Sequence, residues 1–230
     1  WFFLVLILAY ICNMTTETTN IFGIRSIIEA IESGSTINKI YLQKALRGEL
    51  YYELNKLIKE KSIATSIVPV EKLDRLSKNN NHQGAVAQIS PIDFYDLEEL
   101  IEKTLESEKI PLFLLLDQLS DVRNFGAIIR TAECTGVNGI VIQKNGSAPV
   151  NAETIKTSAG AAFKIPICKV DHIKDALFLL QASDIKTVAA TEKTKDSVYD
   201  INFNQPIAII MGSEHRGVNP SVLKMVDYKA

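Results

Sequence analysis

The sequence predicts an α/β fold in which a parallel-sheet domain follows a smaller α/β domain. Residues 110–230 alternate short, almost continuously apolar segments with helical patterns, which is typical of strands covered on both faces of a parallel sheet. The preceding residues carry shorter strand and helix patterns, and 230 residues are enough for two modest domains. A composition of 47% hydrophobic and 23% charged residues is that of a globular protein and excludes a disordered chain.

The first predicted domain spans residues 14–92. Isoleucines recur at helical spacing after Gly23, which predicts a helix there. The remaining predicted elements are strands at residues 40–42, 63–68 and 85–89 and a charged helix at residues 49–61. A loop rich in turn-forming residues, 79–84, leads into the last of these strands.

Residues 93–109 differ from their surroundings in composition. They contain seven acidic and two basic residues, which gives a net charge of −5. Leu97, Leu100, Ile101 and Leu105 recur at helical spacing within the segment. We therefore expect an acidic helical linker here, with the boundary between the two domains.

The second predicted domain spans residues 110–230. Its strand candidates are residues 112–116, 140–142, 165–170, 187–190 and 207–211, and its helix candidates are residues 125–134, 152–159, 173–181 and 221–226. Ligands of such sheets bind at the carboxyl ends of the strands, so the loops that follow the strands are the candidate functional sites.

The start of the chain is an apolar run, residues 1–12, that precedes Met14. It is shorter than the ~20 residues of a membrane-spanning helix, and it lacks the basic leading segment of a secretory signal. We expect residues 1–13 to be a non-native or read-through leader and expect no membrane association, with a signal anchor as the alternative. Three cysteines without Cys-x-x-Cys spacing indicate neither disulfides nor a zinc site, which fits the cytoplasm.

The net charge of −2 is unevenly distributed along the chain. A mean charge near neutrality is unusual for a nucleic-acid-binding protein. The acidity, however, lies in residues 93–109, while residues 14–92 carry +2 and residues 110–230 carry +1. The overall charge therefore does not count against RNA as a partner, although it does not indicate RNA either.

Three loops of the second domain contain candidate functional residues. In the first, Asn124 can cap a helix whose second turn carries Arg130, although a plain N-cap and a surface arginine explain the same pattern. In the second, residues 211–217, two glycines bracket Glu214 and allow close approach of a ligand. The third, residues 156–162, is rich in small residues, as in close helix packing. No histidine has metal-ligand spacing, so no metal is expected.

The ordered motifs in these loops resemble the SpoU/TrmH family of RNA 2′-O-ribose methyltransferases. Asn124-x-Gly126-x-x-x-Arg130 is similar to the first family motif, and Met211-Gly-Ser-Glu214-x-x-Gly217 is similar to the second. Upstream, residues 21–25 and 81–84 resemble the substrate-binding domain of RlmB-type members, which methylate a guanosine 2′-hydroxyl in 23S rRNA. The resemblance covers residues 21–230.

The resemblance implies a trefoil-knot (SPOUT) methyltransferase domain, preceded by an L30e-like substrate-binding domain. It implies a homodimer that binds S-adenosyl-L-methionine and 23S rRNA. The catalytic residues that it implies are Asn124, Arg130 and Glu214. The cofactor-binding residues are Gly212, Met211 and, with weaker support, Thr191. The RNA-binding residues are Arg25, His82, Gln83, Arg123 and Ser158.

The implied reaction is attack of a ribose 2′-oxygen on a sulfonium methyl group. A guanidinium is a poor base because it holds its proton strongly, so we expect Arg130 to orient the hydroxyl or a phosphate.

Two features depart from the family pattern. His215 stands where a small residue is common, and the third family motif is absent before Ala230, which predicts a C-terminally truncated chain with weak cofactor binding.

Two alternatives stay open at this point. The first is a tRNA 2′-O-methyltransferase, which would use the same chemistry on another RNA. The second is a non-catalytic ribosome-binding or assembly protein on the same scaffold, although the presence of Asn124, Arg130 and Glu214 argues against it.

Overall fold

The computed structural model describes residues 20–107 and 109–230, so the proposed leader, residues 1–13, lies outside the described residues. The chain forms two compact units that divide between Pro91 and Ile92. The first unit contains the described residues up to Pro91 together with Asn151–Glu153, and the second contains Ile92–Val150 and Thr154–Ala230. No helix within the described ranges is long and apolar enough to cross a membrane.

The first unit is a four-stranded sheet with three helices. Its elements are β1 (Asn20–Phe22), α1 (Ile24–Glu32), β2 (Ile37–Gln43), α2 (Glu49–Glu60), β3 (Thr65–Val68), α3 (Val70–Leu76) and β4 (Ala85–Ile89). The strand order is β1-β4-β2-β3, in which only the β2–β3 pair is parallel. Ile27, Ile40 and Leu54 are fully buried in the core between the sheet and helices α1 and α2.

Most elements predicted for this unit are confirmed. The strand at 85–89 is confirmed at both ends, and α2 ends one residue before the predicted helix. The sequence reading missed β1 and α3, because elements of three and seven residues are too short for a clear periodic pattern. Helix α3 places Leu73 against Val68 and Val86, and so covers the second face of the sheet.

The second unit is a six-stranded, wholly parallel sheet with helices on both faces. Its strands are β5 (Leu112–Asp117), β6 (Gly139–Gln143), β7 (Ile167–Val170), β8 (Lys186–Ala189), β9 (Ile207–Gly212) and β10 (Tyr228–Lys229). Its helices are α4 (Leu97–Leu105), α5 (Val122–Cys134), α6 (Ala152–Thr157), α7 (Ile173–Ala182) and α8 (Pro220–Leu223). The strand order is β10-β8-β9-β5-β6-β7.

The central strand β5 shows why the strands are nearly continuous apolar segments. Phe113 and Leu115 lie in the hydrophobic core on one face of the sheet, whereas Leu114 and Leu116 lie in the core on the other. Because side chains alternate between faces and both faces are covered, nearly every position of such a strand is apolar. The predicted α/β fold with a parallel sheet is thereby confirmed.

The acidic segment interpreted as a linker is part of the second unit. Asp96 caps α4 by accepting hydrogen bonds from the amides of Glu98 and Glu99, at 2.9 and 3.1 Å. Leu97, Leu100 and Ile101 are buried in the core of that unit. The helical periodicity correctly predicted an amphipathic helix, but the apolar face packs on the sheet instead of forming a separate connection between domains.

Strand β10, at the edge of the sheet, is anchored by Asp227. The Asp227 carboxylate accepts hydrogen bonds from the hydroxyl and amide of Thr187, at 2.6 and 2.9 Å, and from the side chain of Gln181 at 3.3 Å. Burial alone would raise the pKa of Asp227, but these hydrogen bonds and the nearby Lys186 ammonium hold its pKa below the ordinary value.

We predict that Asp227→Asn destabilises the chain by about 1–2 kcal/mol at neutral pH, because the neutral amide cannot accept all three hydrogen bonds. The contribution of a carboxylate with a lowered pKa is complete above the pKa of the unfolded chain, about 3.9, and is lost as pH falls through the lower folded pKa. Urea unfolding of both proteins across this pH range measures it, with the exposed Asp175→Asn as control. An equal free-energy difference at pH values above and below this range would contradict the prediction.

Candidate functional site

The candidate site lies at the carboxyl ends of the two central strands, β5 and β9. These strands are neighbours, and Asp117 at the end of β5 pairs with Gly212 at the end of β9. The loop after β5 leads into α5 with Asn124 and Arg130, and the loop after β9 carries Glu214. The fold therefore brings two motifs that are about 90 residues apart in sequence to one edge of the sheet.

The loop after β9 folds back tightly onto the strand. The amide of Gly217 donates a hydrogen bond to the carbonyl of Ser213 at 2.8 Å. A Cβ atom on Gly212 would lie 2.0 Å from the carbonyl carbon of Gly217 and 2.1 Å from the amide nitrogen of Val218. Position 212 therefore has no space for any side chain. Gly217 has a φ of +66°, which strains other residues.

Asp117 holds the residues that follow the same loop. Its buried carboxylate accepts a hydrogen bond from the amide of Asn219 at 2.7 Å. Burial raises the pKa of Asp117, and the hydrogen bond from Asn219 opposes this rise. The sequence analysis did not select Asp117 as a site residue. The available signal was a carboxylate at the end of an otherwise apolar strand, where burial requires a polar partner.

Helix α5 positions Asn124 in its first turn. The helix begins at Val122, and its N-cap is Asp121, whose carboxylate accepts a hydrogen bond from the Asn124 amide at 2.7 Å. The prediction that Asn124 itself caps the helix is therefore wrong, since Asp121 provides the cap. The Asn124 side chain donates a hydrogen bond to Glu214 at 2.5 Å instead. This bond joins the two motif loops directly.

Gly126 allows α5 to approach the third loop closely. A Cβ atom at this position would lie 1.8 Å from the Oγ1 of Thr157 and 3.1 Å from the amide nitrogen of Ser158. The close packing expected for the small-residue loop is therefore present. Ser158 is buried, and its hydroxyl bonds to the carbonyl of Ile155 at 3.1 Å. This assigns Ser158 a structural position in the second unit and leaves it unexposed to RNA.

Arg130 is exposed on a different face of α5 from Asn124. Six residues of helix separate their side chains by about 9 Å along the axis and about 120° around it. Among the described residues, the Arg130 guanidinium has no hydrogen-bond or ion-pair partner. Arg123 is also exposed, seven residues earlier and therefore on nearly the same face. The structure thus joins Asn124 to Glu214 and leaves Arg130 apart from both.

A cleft of about 430 Å³ opens beside the loop after β9. Met211 and Gly212, two of the predicted cofactor-binding residues, line it together with Glu214. From the end of β8, the cleft is lined by the residues that flank Thr191, which are Ala190, Glu192 and Lys193. The Thr191 hydroxyl instead accepts a hydrogen bond from the amide of Lys193 at 3.2 Å. The sequence analysis missed Lys193, whose ammonium bonds to the carbonyl of Arg216 at 3.5 Å.

Three predicted RNA-binding residues lie in the first unit, and their surroundings differ. Arg25 is exposed in the first turn of α1. Gln83 is exposed, and its side-chain oxygen accepts a hydrogen bond from the amide of Ile24 at 3.3 Å. His82 is buried, with Nδ1 accepting from the Gly84 amide at 3.0 Å and Nε2 donating to Asp74 at 3.1 Å. Because both ring nitrogens are used within the unit, His82 has a structural role in the loop.

The site can bind polar groups and small molecules through hydrogen bonds. Within residues 20–107 and 109–230, no group of three or more side chains converges in a way that could hold a metal ion. The cleft instead offers closely spaced backbone, the carboxylates of Glu192 and Glu214, and the cationic side chains of Lys193 and Arg216. Such a site positions a ligand that brings its own reactive group.

Comparisons with protein families agree with this division of the chain. A profile of the SpoU rRNA Methylase family matches residues 111–230. A second profile, described as RNA 2′-O ribose methyltransferase substrate binding, matches residues 20–95. Together the two profiles cover most of both units.

Similar proteins extend over most of the chain. A Staphylococcus haemolyticus protein assigned to the TrmH family of tRNA/rRNA methyltransferases is 32% identical over 212 residues, which cover 92% of this chain and 85% of that protein. A Staphylococcus aureus protein with the same family name is 33% identical over 213 residues, with the same coverage.

Solved structures share the fold at lower identity. The SpoU methyltransferase AviRb from Streptomyces viridochromogenes, solved in complex with AdoMet, has a TM-score of 0.54 at 20% identity and covers 91% of this chain and 78% of its own. An AdoMet-bound rRNA methyltransferase from Sinorhizobium meliloti also has a TM-score of 0.54 at 20% identity, covering 92% of this chain and 76% of its own.

We predict that Gly212→Ala destabilises the second unit by about 3 kcal/mol, because the new methyl group overlaps backbone that cannot move independently of the loop. Urea unfolding measures the loss. The matched control is Gly146→Ala, where φ is +84° and no described atom lies within 4 Å of the new Cβ, so only backbone strain of about 1 kcal/mol is expected. Equal losses in the two variants would show that the close approach at Gly212 is unimportant.

Proposed function

Because the chain belongs to the SpoU/TrmH family of RNA methyltransferases, we propose that it is an S-adenosyl-L-methionine-dependent enzyme that methylates the ribose 2′-hydroxyl of a guanosine in 23S rRNA. The observation that carries the proposal is the hydrogen bond between Asn124 and Glu214. It joins the two sequence motifs at adjacent strand ends, beside a cleft of suitable size for a small cofactor.

The residues of the cleft fit a cofactor with an extended polar body. Gly212 has no side chain and lines the cleft, so the backbone there is accessible to a ligand. Met211, Gly212 and the ammonium of Lys193 would hold the cofactor, with Thr191 fixing the strand end that presents Lys193. S-adenosyl-L-methionine supplies an electrophilic methyl group when bound.

The protein's own residues then have to position the ribose. The Glu214 carboxylate, oriented by Asn124, accepts a hydrogen bond from the substrate hydroxyl and so holds its oxygen in line for reaction. The planar fork of donors on Arg130 suits a phosphate group of the RNA, which it binds through two parallel hydrogen bonds. A guanidinium is a poor proton acceptor, so Arg130 acts here through its hydrogen-bond donors.

The homodimer is part of the same proposal, and the position of Arg130 supports it. Within one chain, Arg130 lies on another face of α5 from Asn124 and has no partner among the described residues. A two-fold dimer would place the same surfaces of two chains together, so that Arg130 of one chain can complete the Asn124–Glu214 site of the other. A cytoplasmic enzyme of this kind would meet its RNA directly.

A second candidate substrate is tRNA. The two Staphylococcus relatives are assigned to a family of tRNA/rRNA methyltransferases, so their family name covers both RNA classes. The rRNA assignment is supported by the description of the SpoU rRNA Methylase family, whose profile matches the second unit. A non-catalytic ribosome-assembly protein is the outcome that absence of methyl transfer to either RNA would favour.

We predict that Arg130→Ala lowers kcat for methyl transfer by at least about 100-fold, because the substrate loses its bidentate partner. The measurement is transfer of the tritium-labelled methyl group of S-adenosyl-L-methionine to two transcripts. One is a 23S rRNA fragment with the peptidyl-transferase loop, and the other is a tRNA. Lys174→Ala, which removes an exposed cation from α7, is the control and should leave kcat unchanged. Normal turnover by Arg130→Ala would exclude this role.

We also predict that Arg130→Ala and Glu214→Gln complement each other when mixed. If Arg130 acts across a dimer, half of the dimers are mixed and each has one intact site, which restores about a quarter of the wild-type activity. A mixture of Asn124→Ala and Glu214→Gln is the control, because both residues act within one chain and no intact site can form. Failure of the first pair to exceed the second would place Arg130 in the site of its own chain.

A further inference from the structure

Three loops of the first unit meet at one end of its sheet. They are residues 23–25, 43–48 and 81–84, which we call the docking loops. The amide of Gly23 bonds to the carbonyl of Ala85 at 3.1 Å, and the amide of Gln43 bonds to the carbonyl of Gly84 at 2.8 Å. The side chain of Gln83 accepts from the Ile24 amide at 3.3 Å. These bonds connect the third loop to each of the other two.

The docking loops are held in one conformation by packing as well as by hydrogen bonds. A Cβ atom on Gly84 would lie 2.5 Å from the Cδ1 of Leu46, so the second and third loops are in direct contact. His82 is buried below this contact and uses one ring nitrogen to hold the Gly84 amide. The backbone that carries the exposed side chains of the loops is therefore already ordered, so binding does not cost the free energy of ordering it.

The net positive charge of residues 20–91 comes from these loops. Residues 20–91 contain ten basic and seven acidic residues, and the docking loops contain three of the basic residues and none of the acidic ones. The seven basic residues elsewhere are balanced by the seven acidic ones. Arg25, Lys44 and Arg47 are all exposed, and none of them has a hydrogen-bond or ion-pair partner within the described part of the chain.

Two lysines elsewhere in the first unit are arranged differently. Lys39 and Lys72 lie over the ring of Tyr41, with their ammonium groups 5.8 and 5.1 Å from its centre. These contacts already use both charges in cation–π interactions. The docking loops therefore offer cations that are free of such contacts, and two of the three are arginines, whose planar donors match phosphate oxygens.

We propose that the docking loops are the RNA-docking surface of the first unit, with Arg25, Lys44 and Arg47 each neutralising a backbone phosphate. The inference rests on the proposed function, since it takes RNA as the partner. The family resemblance implied Arg25, His82 and Gln83 in this unit. The proposal adds a loop, residues 43–48, that no motif indicated, and it excludes the Tyr41 face. Recognition through phosphates fixes the position of the RNA and leaves sequence choice to other contacts.

The test compares two variants that each remove three positive charges from the first unit. The first is the triple variant Arg25→Gln, Lys44→Gln and Arg47→Gln. The control is Lys56→Gln, Lys59→Gln and Lys61→Gln, which changes exposed lysines at the far end of α2, about 15 Å along the helix from the docking loops. Fluorescence anisotropy of the full chain with a labelled 23S rRNA fragment and a labelled tRNA gives Kd as a function of salt concentration.

We expect the docking-loop variant to bind at least about 10-fold more weakly than wild type at low salt. Its plot of log Kd against log salt should be shallower by about 2, because three single-strand phosphate contacts contribute about 0.7 each. The control should lose little affinity and keep the wild-type slope. Thermal unfolding of each variant checks the fold, and the triple variant Arg25→Lys, Lys44→Arg and Arg47→Lys, which conserves all three charges, should keep the wild-type salt slope.

The outcomes separate this inference from the proposed function. Equal affinities and slopes for the docking-loop and control variants would overturn the docking surface, even where the wild-type chain methylates RNA. RNA binding that depends on the docking loops without any methyl transfer would support the surface and overturn the enzymatic proposal. A wild-type chain that binds neither RNA would overturn the docking surface.

Discussion

The close approach of Gly212 to the backbone of Gly217 and Val218 is the constraint on which the rest of the site depends. With no room for a side chain at position 212, the chain can reverse direction at once where β9 ends. This reversal presents Glu214 to Asn124, and it brings Asn219 back to the buried carboxylate of Asp117. A wider turn would separate these groups, since each bond joins the loop to a fixed strand or helix.

The same physical solution recurs at Gly126. There, the absence of a side chain lets α5 pack against Thr157, so that the helix carrying Asn124 and Arg130 is held against the small-residue loop, residues 156–162. The site is therefore built around two contacts in which backbone approaches neighbouring atoms more closely than any side chain allows. Rigid placement of this kind suits a reaction in which the cofactor supplies the chemistry and the protein supplies orientation.

Charge is organised by unit in this chain. The net charge of −2 arises largely from the acidic segment 93–109, which contains α4. The apolar face of this helix is buried in the second unit, and its acidic side chains are exposed. In the first unit, the basic surplus lies on the docking loops. An average over the chain therefore obscures a surface whose charge favours a polyanion.

The sequence by itself determined the α/β class, the parallel sheet and most strand positions, because strands covered on both faces are apolar at nearly every position, as residues 112–116 of β5 are. Its motifs also indicated Asn124, Arg130 and Glu214 together. Only the tertiary structure decided which of these touch. Asn124 meets Glu214 because β5 and β9 are neighbours, whereas Arg130 lies six residues further along the same helix and about 120° around its axis.

Burial likewise could be decided only by the tertiary structure. His82 and Ser158 lie in polar loops, which in sequence are typical of exposed residues, yet packing encloses both and their hydrogen bonds are made internally. Asp117 was overlooked for the opposite reason, since its single partner, Asn219, is 102 residues away in sequence. Local patterns carry the periodicity of helices and strands, but the contacts that define a site join residues that no local pattern relates.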